Sequence, residues 1–218
     1  MKRRPLFLMT TLGAFYLTLL LVLARSGQTA NSPLETVRST VDQVIQIFKD
    51  PANQGPDLRA KRLEQVSAVV RPRFNRREVA KRTLGKYWQE RTKQQQEEFI
   101  YLFITLVEKS YGETFDKLYK KYQDQVEFFY DRETIDGNFA EVNTRIHNPA
   151  LNKHFSINYR FLKGDTGWLV YDVVIENVSM IRNFRTQFYR IIGKTSYEEL
   201  VQKLQAKLRQ LSAAPAPS

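Results

Sequence analysis

At Tyr122 the hydrophobic period of this chain changes, and no other feature of the sequence limits its architecture so sharply. Upstream, apolar residues recur every three to four positions; downstream, Val126, Phe128 and Tyr130 alternate with polar neighbours. The longer period lays an apolar stripe along a helix, and the shorter one sends alternate side chains to opposite faces of a strand. The chain therefore writes helices first and a sheet second, the pattern of an α+β domain.

In the helical part, Ser32-Pro33-Leu34-Glu35 is a capping box with proline at the first helical position, followed by Val37, Val41, Val44 and Phe48 at helical spacing. The segment from Asp50 to Asp57 stops this helix, and a second carries Leu63, Val66, Val69 and Val70 up to Arg71-Pro72. Asn75 with Glu78 opens a short helix, and Thr92 with Gln95 a long one. The stripe of the long helix, from Phe99 through Phe103, Val107 and Tyr111 to Tyr122, is wider than a helix facing solvent needs.

Four strands follow, around Phe128, Val142, Ile157 and Val170, separated by Asp136-Gly137-Asn138, Asn148-Pro149 and Lys163-Gly164-Asp165. Such turn chemistry predicts an antiparallel meander. Ser179, then Ser196 with Glu199, open two final helices. The expectation is one α+β domain over residues 31–211, with N-terminal and C-terminal helices packed around a curved four-stranded antiparallel sheet, and a disordered tail over 212–218.

The first thirty residues differ in kind. A basic MKRR start precedes an uncharged stretch from Pro5 to Ala24, which predicts a signal peptide or, since it approaches the ~20 residues a membrane span needs, an N-terminal inner-membrane anchor. Either one puts the chain from Asn31 onward outside the cytoplasm. Net charge is +11; Lys2, Arg3, Arg4 and Arg25 hold four of these, leaving +7 for the rest. That balance suits anionic partners such as phospholipid headgroups, and export argues against nucleic acid.

Catalytic tokens are scarce. Without cysteine there is no disulfide, thiolate metal site or thiol nucleophile, and no G-x-S-x-G, H-E-x-x-H or Gly-rich phosphate loop occurs. His147 and His154 flank one hairpin turn, and two ligands are too few for a usual zinc site. The expectation is no catalytic residue, no metal and no cofactor. The basic run from Arg71 through Arg73, Arg76, Arg77 and Lys81 to Arg82 is either a solvated helix face or a contact for an acidic partner.

The last strand is apolar on both faces, with Leu169, Tyr171, Val173 and Ile175 on one and Trp168, Val170 and Val174 on the other, yet it carries Asp172. Large side chains on a curved sheet opposite helices either pack as solid core or leave a cavity; the lining predicted for a cavity is Phe103, Val107, Tyr111, Val142, Ile157, Trp168, Val170 and Val174. Asp172 and Glu176 are predicted to pair with Arg182 or Arg185, fixing the turn through Asn177 and Ser179.

The stretch W-L-V-Y-D-V-V-I-E-N-V-S-M-I-R-N-F-R-T-Q-F, Trp168 to Phe188, resembles the MlaC or toluene-tolerance family of periplasmic phospholipid-binding proteins, whose pattern has glycine where Asn177 stands. The likeness extends to Tyr87-Trp88 and to the helix from Phe99 to Tyr111. The resemblance implies an NTF2-like, cone-shaped fold whose apolar cavity holds phospholipid tails as cargo. It further implies exchange of lipid with an outer-membrane lipoprotein-porin complex and an inner-membrane ABC transporter bearing an MCE-domain subunit, which maintains outer-membrane lipid asymmetry. Two other readings stay open at this point: an anchored scaffold domain of an envelope assembly, and an enzyme on the same cone-shaped fold with Asp172 as base.

Overall fold

The computed structural model describes residues 32–213 apart from 56, 123–125 and 150–151, and leaves aside the side chains of Phe115, Leu118, Lys120 and Tyr122. The expected signal or anchor segment and the end of the expected tail, 214–218, lie outside the described residues. Among the described residues no helix is long and apolar enough to cross a membrane.

Local chemistry sets the helix ends. Helix α1, Pro33–Lys49, starts where Ser32 Oγ accepts the Glu35 N–H at 3.1 Å. Helix α2 spans Arg59–Val70, and α3, Arg76–Leu84, begins where Asn75 Oδ1 accepts the Glu78 N–H. A reciprocal box opens α4, Lys93–Tyr122: Thr92 Oγ1 accepts from Gln95 N, and Thr92 N donates to Gln95 Oε1. Ser179 and Ser196 cap α5, Met180–Lys194, and α6, Tyr197–Ala213. Ser212 and Ala213, expected in the tail, are helical, because α6 continues its apolar spacing past Leu208 and Leu211.

The sheet is the antiparallel meander the turns predict, in the order β1 (Glu127–Asp136), β2 (Phe139–Asn148), β3 (Lys153–Gly164), β4 (Gly167–Ile175). A fifth strand, β5 (Val178–Ser179), was not anticipated. Glu176 at φ +47° and Asn177 at φ +64° make a two-residue turn with both centres left-handed, which folds the chain straight back onto β4. The register slips at Asp131, between the pairs Tyr130–Thr144 and Arg132–Asn143, and again at Tyr171, between Arg160–Asp172 and Phe161–Val170. Each extra residue is a bulge, and bulges bend the strands that carry them.

Cross-strand partners share a face. The inner face therefore holds the rows Ala140–Phe161–Val170, Val142–Tyr159–Val173 and Thr144–Ile157–Ile175. Glu141–Arg160–Asp172 and Asn143–Asn158–Val174 lie on the outer face, covered along β4 by α5. The Tyr171 bulge moves Val174 to the face opposite Val170, which corrects the simple alternation expected from sequence.

Two separate cores result. The helical core joins Leu84 of α3, Phe99 and Phe103 of α4, Phe188 of α5 and Leu200 and Leu204 of α6. The sheet core joins Val37 of α1 to Ala140, Val142, Phe161 and Val170, with Phe74 against its edge. Asn75 N donates to the Val170 carbonyl at 2.9 Å and so ties the link between α2 and α3 to the sheet.

Candidate functional site

Helix α2 connects the two halves of the molecule, packing on α1 to one side and α4 to the other. Its buried side chain is not aliphatic but charged: Arg62 is 3% exposed, whereas Leu63, Val66, Val69 and Val70 stay half-buried. Those four span an arc of about 120° at 100° per residue, a normal core-facing stripe. Among the described residues, none of the four belongs to either core.

What holds α2 in place is polar. Asp116 of α4, 1% exposed, accepts from Arg62 Nε and Nη2 through Oδ1 at 2.9 and 2.6 Å, and from Arg59 Nε through Oδ2 at 3.2 Å. Arg62 Nη1 also donates to the Asn53 carbonyl at 2.7 Å. A buried ion pair gives little net stability over apolar packing but fixes geometry, since breaking it costs about 3–5 kcal/mol. The helix is thereby positioned with its aliphatic arc half-buried, Leu63 lying against Gly112 of α4.

The inner face of the sheet shows the matching half. Ile157, Tyr159 and Val173 keep accessible surface although they sit mid-strand. Desolvation pushes the Tyr159 phenol up to about 12, so the ring lies deep in the molecule. It keeps accessible surface nonetheless and, like Val173, packs against the sheet core. Tyr111 of α4 behaves alike: it is 42% exposed, and burial still raises its phenol above the usual range. Helix α4 packs on α2, α3 and α6, while α1 is laid across the sheet.

The predicted lining residues separate into two groups. Val107, Tyr111, Ile157 and Trp168 retain accessible surface. Phe103 does not: at 1% exposure it is locked edge-on against Phe184 and Phe188, with ring centroids 4.9 and 5.3 Å away. Val142 and Val170 are closed inside the sheet core, and Val174 is buried on the outer face. Val66, Val70 and Tyr159, which the sequence reading did not name as lining residues, also keep accessible surface. The α2 stripe was visible as a stripe, but nothing in a stripe shows whether a partner covers it.

The predicted charge pairs are corrected. Asp172, 5% exposed, accepts from Ser179 Oγ at 2.7 Å and Ile181 N at 3.1 Å, and its nearest cation is Arg160 of β3 at 3.4 Å rather than Arg182 or Arg185. The bulge turns Asp172 toward the start of α5, where two N-terminal donors meet a carboxylate. Arg185 Nε donates instead to the Arg82 carbonyl, and Arg182 contributes its backbone N–H to the Ser179 cap. Glu176 is also freed of an arginine: its carboxylate accepts from Ser156 N while its own N–H donates to the Ser156 carbonyl. Asp172 therefore sits on the outer face with its oxygens engaged.

Other features carry less. In the basic run, Arg71 pairs with Glu108, Arg77 with Glu97 and Arg82 with Glu78, as a solvated face would. His147 and His154 stack at 4.3 Å on the outer face; no group of three or more metal-ligating side chains occurs among the described residues. Two open surface clefts, of about 170 and 460 Å³, touch none of the predicted lining residues. The half-buried side chains of α2, α4 and the inner face are alkyl and phenol groups, which can shelter an apolar chain from water.

Comparison with known proteins gives a consistent result. The family model described as MlaC protein matches residues 38–206. The intermembrane phospholipid transport system binding protein MlaC of Haemophilus influenzae is 25% identical over 209 residues, covering 92% of each chain. Among solved structures, a phospholipid-binding protein from Ralstonia solanacearum, determined in complex with a phospholipid, superposes with a TM-score of 0.68 at 24% identity, covering 81% of this chain and 97% of that one. That likeness shows a shared α+β fold.

Proposed function

The chain belongs to the MlaC family, and on that premise we propose that it is a periplasmic phospholipid carrier which shelters acyl tails between its helical and sheet cores. The observation that carries this reading is the aliphatic arc of α2, held by the buried Arg62–Asp116 pair yet joined to neither core. Facing it we place Val107 and Tyr111 of α4 and Ile157, Tyr159 and Val173 of the sheet as tail contacts, all of which keep accessible surface.

The energetics fit a carrier. At ~0.8 kcal/mol per CH₂, a tail of about sixteen carbons costs about 12 kcal/mol to expose to water, so unassisted transfer across an aqueous gap is very slow. A cavity must match the bilayer rather than exceed it, or the cargo is never released. In this reading residues 1–30 export the chain, and the basic exterior meets the partners the family implies: an outer-membrane lipoprotein-porin complex and an inner-membrane ABC transporter with an MCE-domain subunit. The protein performs no covalent step on its cargo. Native mass spectrometry of gently purified protein tests the proposal. Phospholipid adducts that survive transfer support it; a chain that is empty and takes up no lipid from vesicles refutes it.

A further inference from the structure

The larger surface cleft, about 460 Å³, lies between the C-terminal end of α1, the turn at Pro51–Asn53 and α2, and it is rich in hydrogen-bond acceptors. Asn53 is 2% exposed; its Nδ2 donates to the Ile47 carbonyl at 3.1 Å, which orients Oδ1 away from that carbonyl, and Oδ1 accepts no hydrogen bond. Gln65 Oε1, on the other wall, is also buried and accepts none. Asp50 adds a carboxylate to the rim, one oxygen of which accepts from Ala52 N at 2.9 Å, and the carbonyl end of α1, seventeen residues long, points its negative pole there, its Gln46, Ile47 and Phe48 carbonyls already accepting hydrogen bonds. Lys49 is the one cation among the lining residues.

Two buried amide oxygens without donors, a carboxylate and a helix C-terminus all select the same kind of guest, a compact cation that carries several N–H bonds. From this we infer that the cleft binds a primary ammonium group. On α2, Gln65 is one helical turn from Val69 and flanks the aliphatic arc, so a lipid whose tails follow that arc brings its headgroup to the same side of the helix. The ammonium comes either from the ethanolamine headgroup of the cargo, an assignment that rests on the carrier reading, or from a soluble amine, which does not.

The test has two arms. In the first, the full chain with ¹⁵N-labelled amides is titrated with ethanolamine hydrochloride and, separately, with choline chloride, whose nitrogen bears no N–H. The Asn53 and Gln65 side-chain resonances are expected to move with ethanolamine only; Gln65→Leu should abolish the response, and Gln65→Glu, which keeps an acceptor, should retain it. Equal responses to the two salts, or none, would overturn the site. In the second arm the protein is loaded from vesicles of equal parts phosphatidylethanolamine and phosphatidylcholine. Enrichment of the former by about threefold, roughly what one net hydrogen bond supports, that Gln65→Leu removes would assign the ammonium to lipid. Even uptake with the ethanolamine response intact assigns it to a soluble amine. Failure to load either lipid, again with that response intact, strikes the carrier reading and leaves the site standing.

Discussion

Asp172 shows how much a single side chain in this protein does through hydrogen bonds rather than charge pairing. It gathers the Ser179 hydroxyl and the Ile181 N–H at the point where the sheet hands over to α5. Removing the carboxylate in Asp172→Ala leaves both donors unmatched in a buried place, and hydrogen bonds to a charged acceptor are worth about 1.5–3 kcal/mol each. The expected loss is about 3 kcal/mol in urea unfolding, with Asp172→Asn losing less because one acceptor remains. Glu176→Ala, at an exposed position, should cost about 1 kcal/mol, since Ser156 keeps its backbone bond to residue 176. That both acids would be engaged near the strand-to-helix turn was expected from the sequence. Their partners were not, because the residue that re-aims Asp172 is the bulged Tyr171, and a bulge is set by pairing with a strand about ten residues away.

Among the elements, α2 differs from the helices around it. Leu200 of α6 is fully buried in the helical core, so Leu200→Ala should cost about 2–5 kcal/mol, as cavity-forming changes do. Val66→Asp on α2 should behave differently: a half-buried position outside both cores is expected to lose about 1 kcal/mol or less in the lipid-free protein while losing most lipid uptake from vesicles. A loss of stability as large as that of Leu200→Ala would mean the α2 stripe is ordinary core. Helix existence, caps and the meander were legible because they depend on neighbours within four residues: Ser32 with Glu35, Thr92 with Gln95, Ser196 with Glu199. The separation into two cores was not. Nor was the Arg62–Asp116 contact, which joins residues 54 positions apart and leaves no periodic trace.

For the molecule as a whole, the depth of its tyrosines predicts a boundary at high pH. Burial raises the phenols of Tyr159 and Tyr197 from 10.0 to about 12. A folded pKa above the unfolded value means the neutral phenols stabilise the fold below pH 10, and this contribution is lost as pH rises toward about 12. The urea midpoint is expected to fall through that window, and Tyr159→Phe with Tyr197→Phe should flatten the fall. The claim beneath all of this is that apolar side chains of α2, α4 and the sheet enclose room for alkyl chains. A crystal structure of the protein loaded with phospholipid brominated along its tails tests it most directly. The account predicts anomalous bromine peaks bounded by Val66 and Val70 on one side and Tyr159 and Val173 on the other. Bromine confined to the outer surface, with those four side chains closed upon one another, would contradict it.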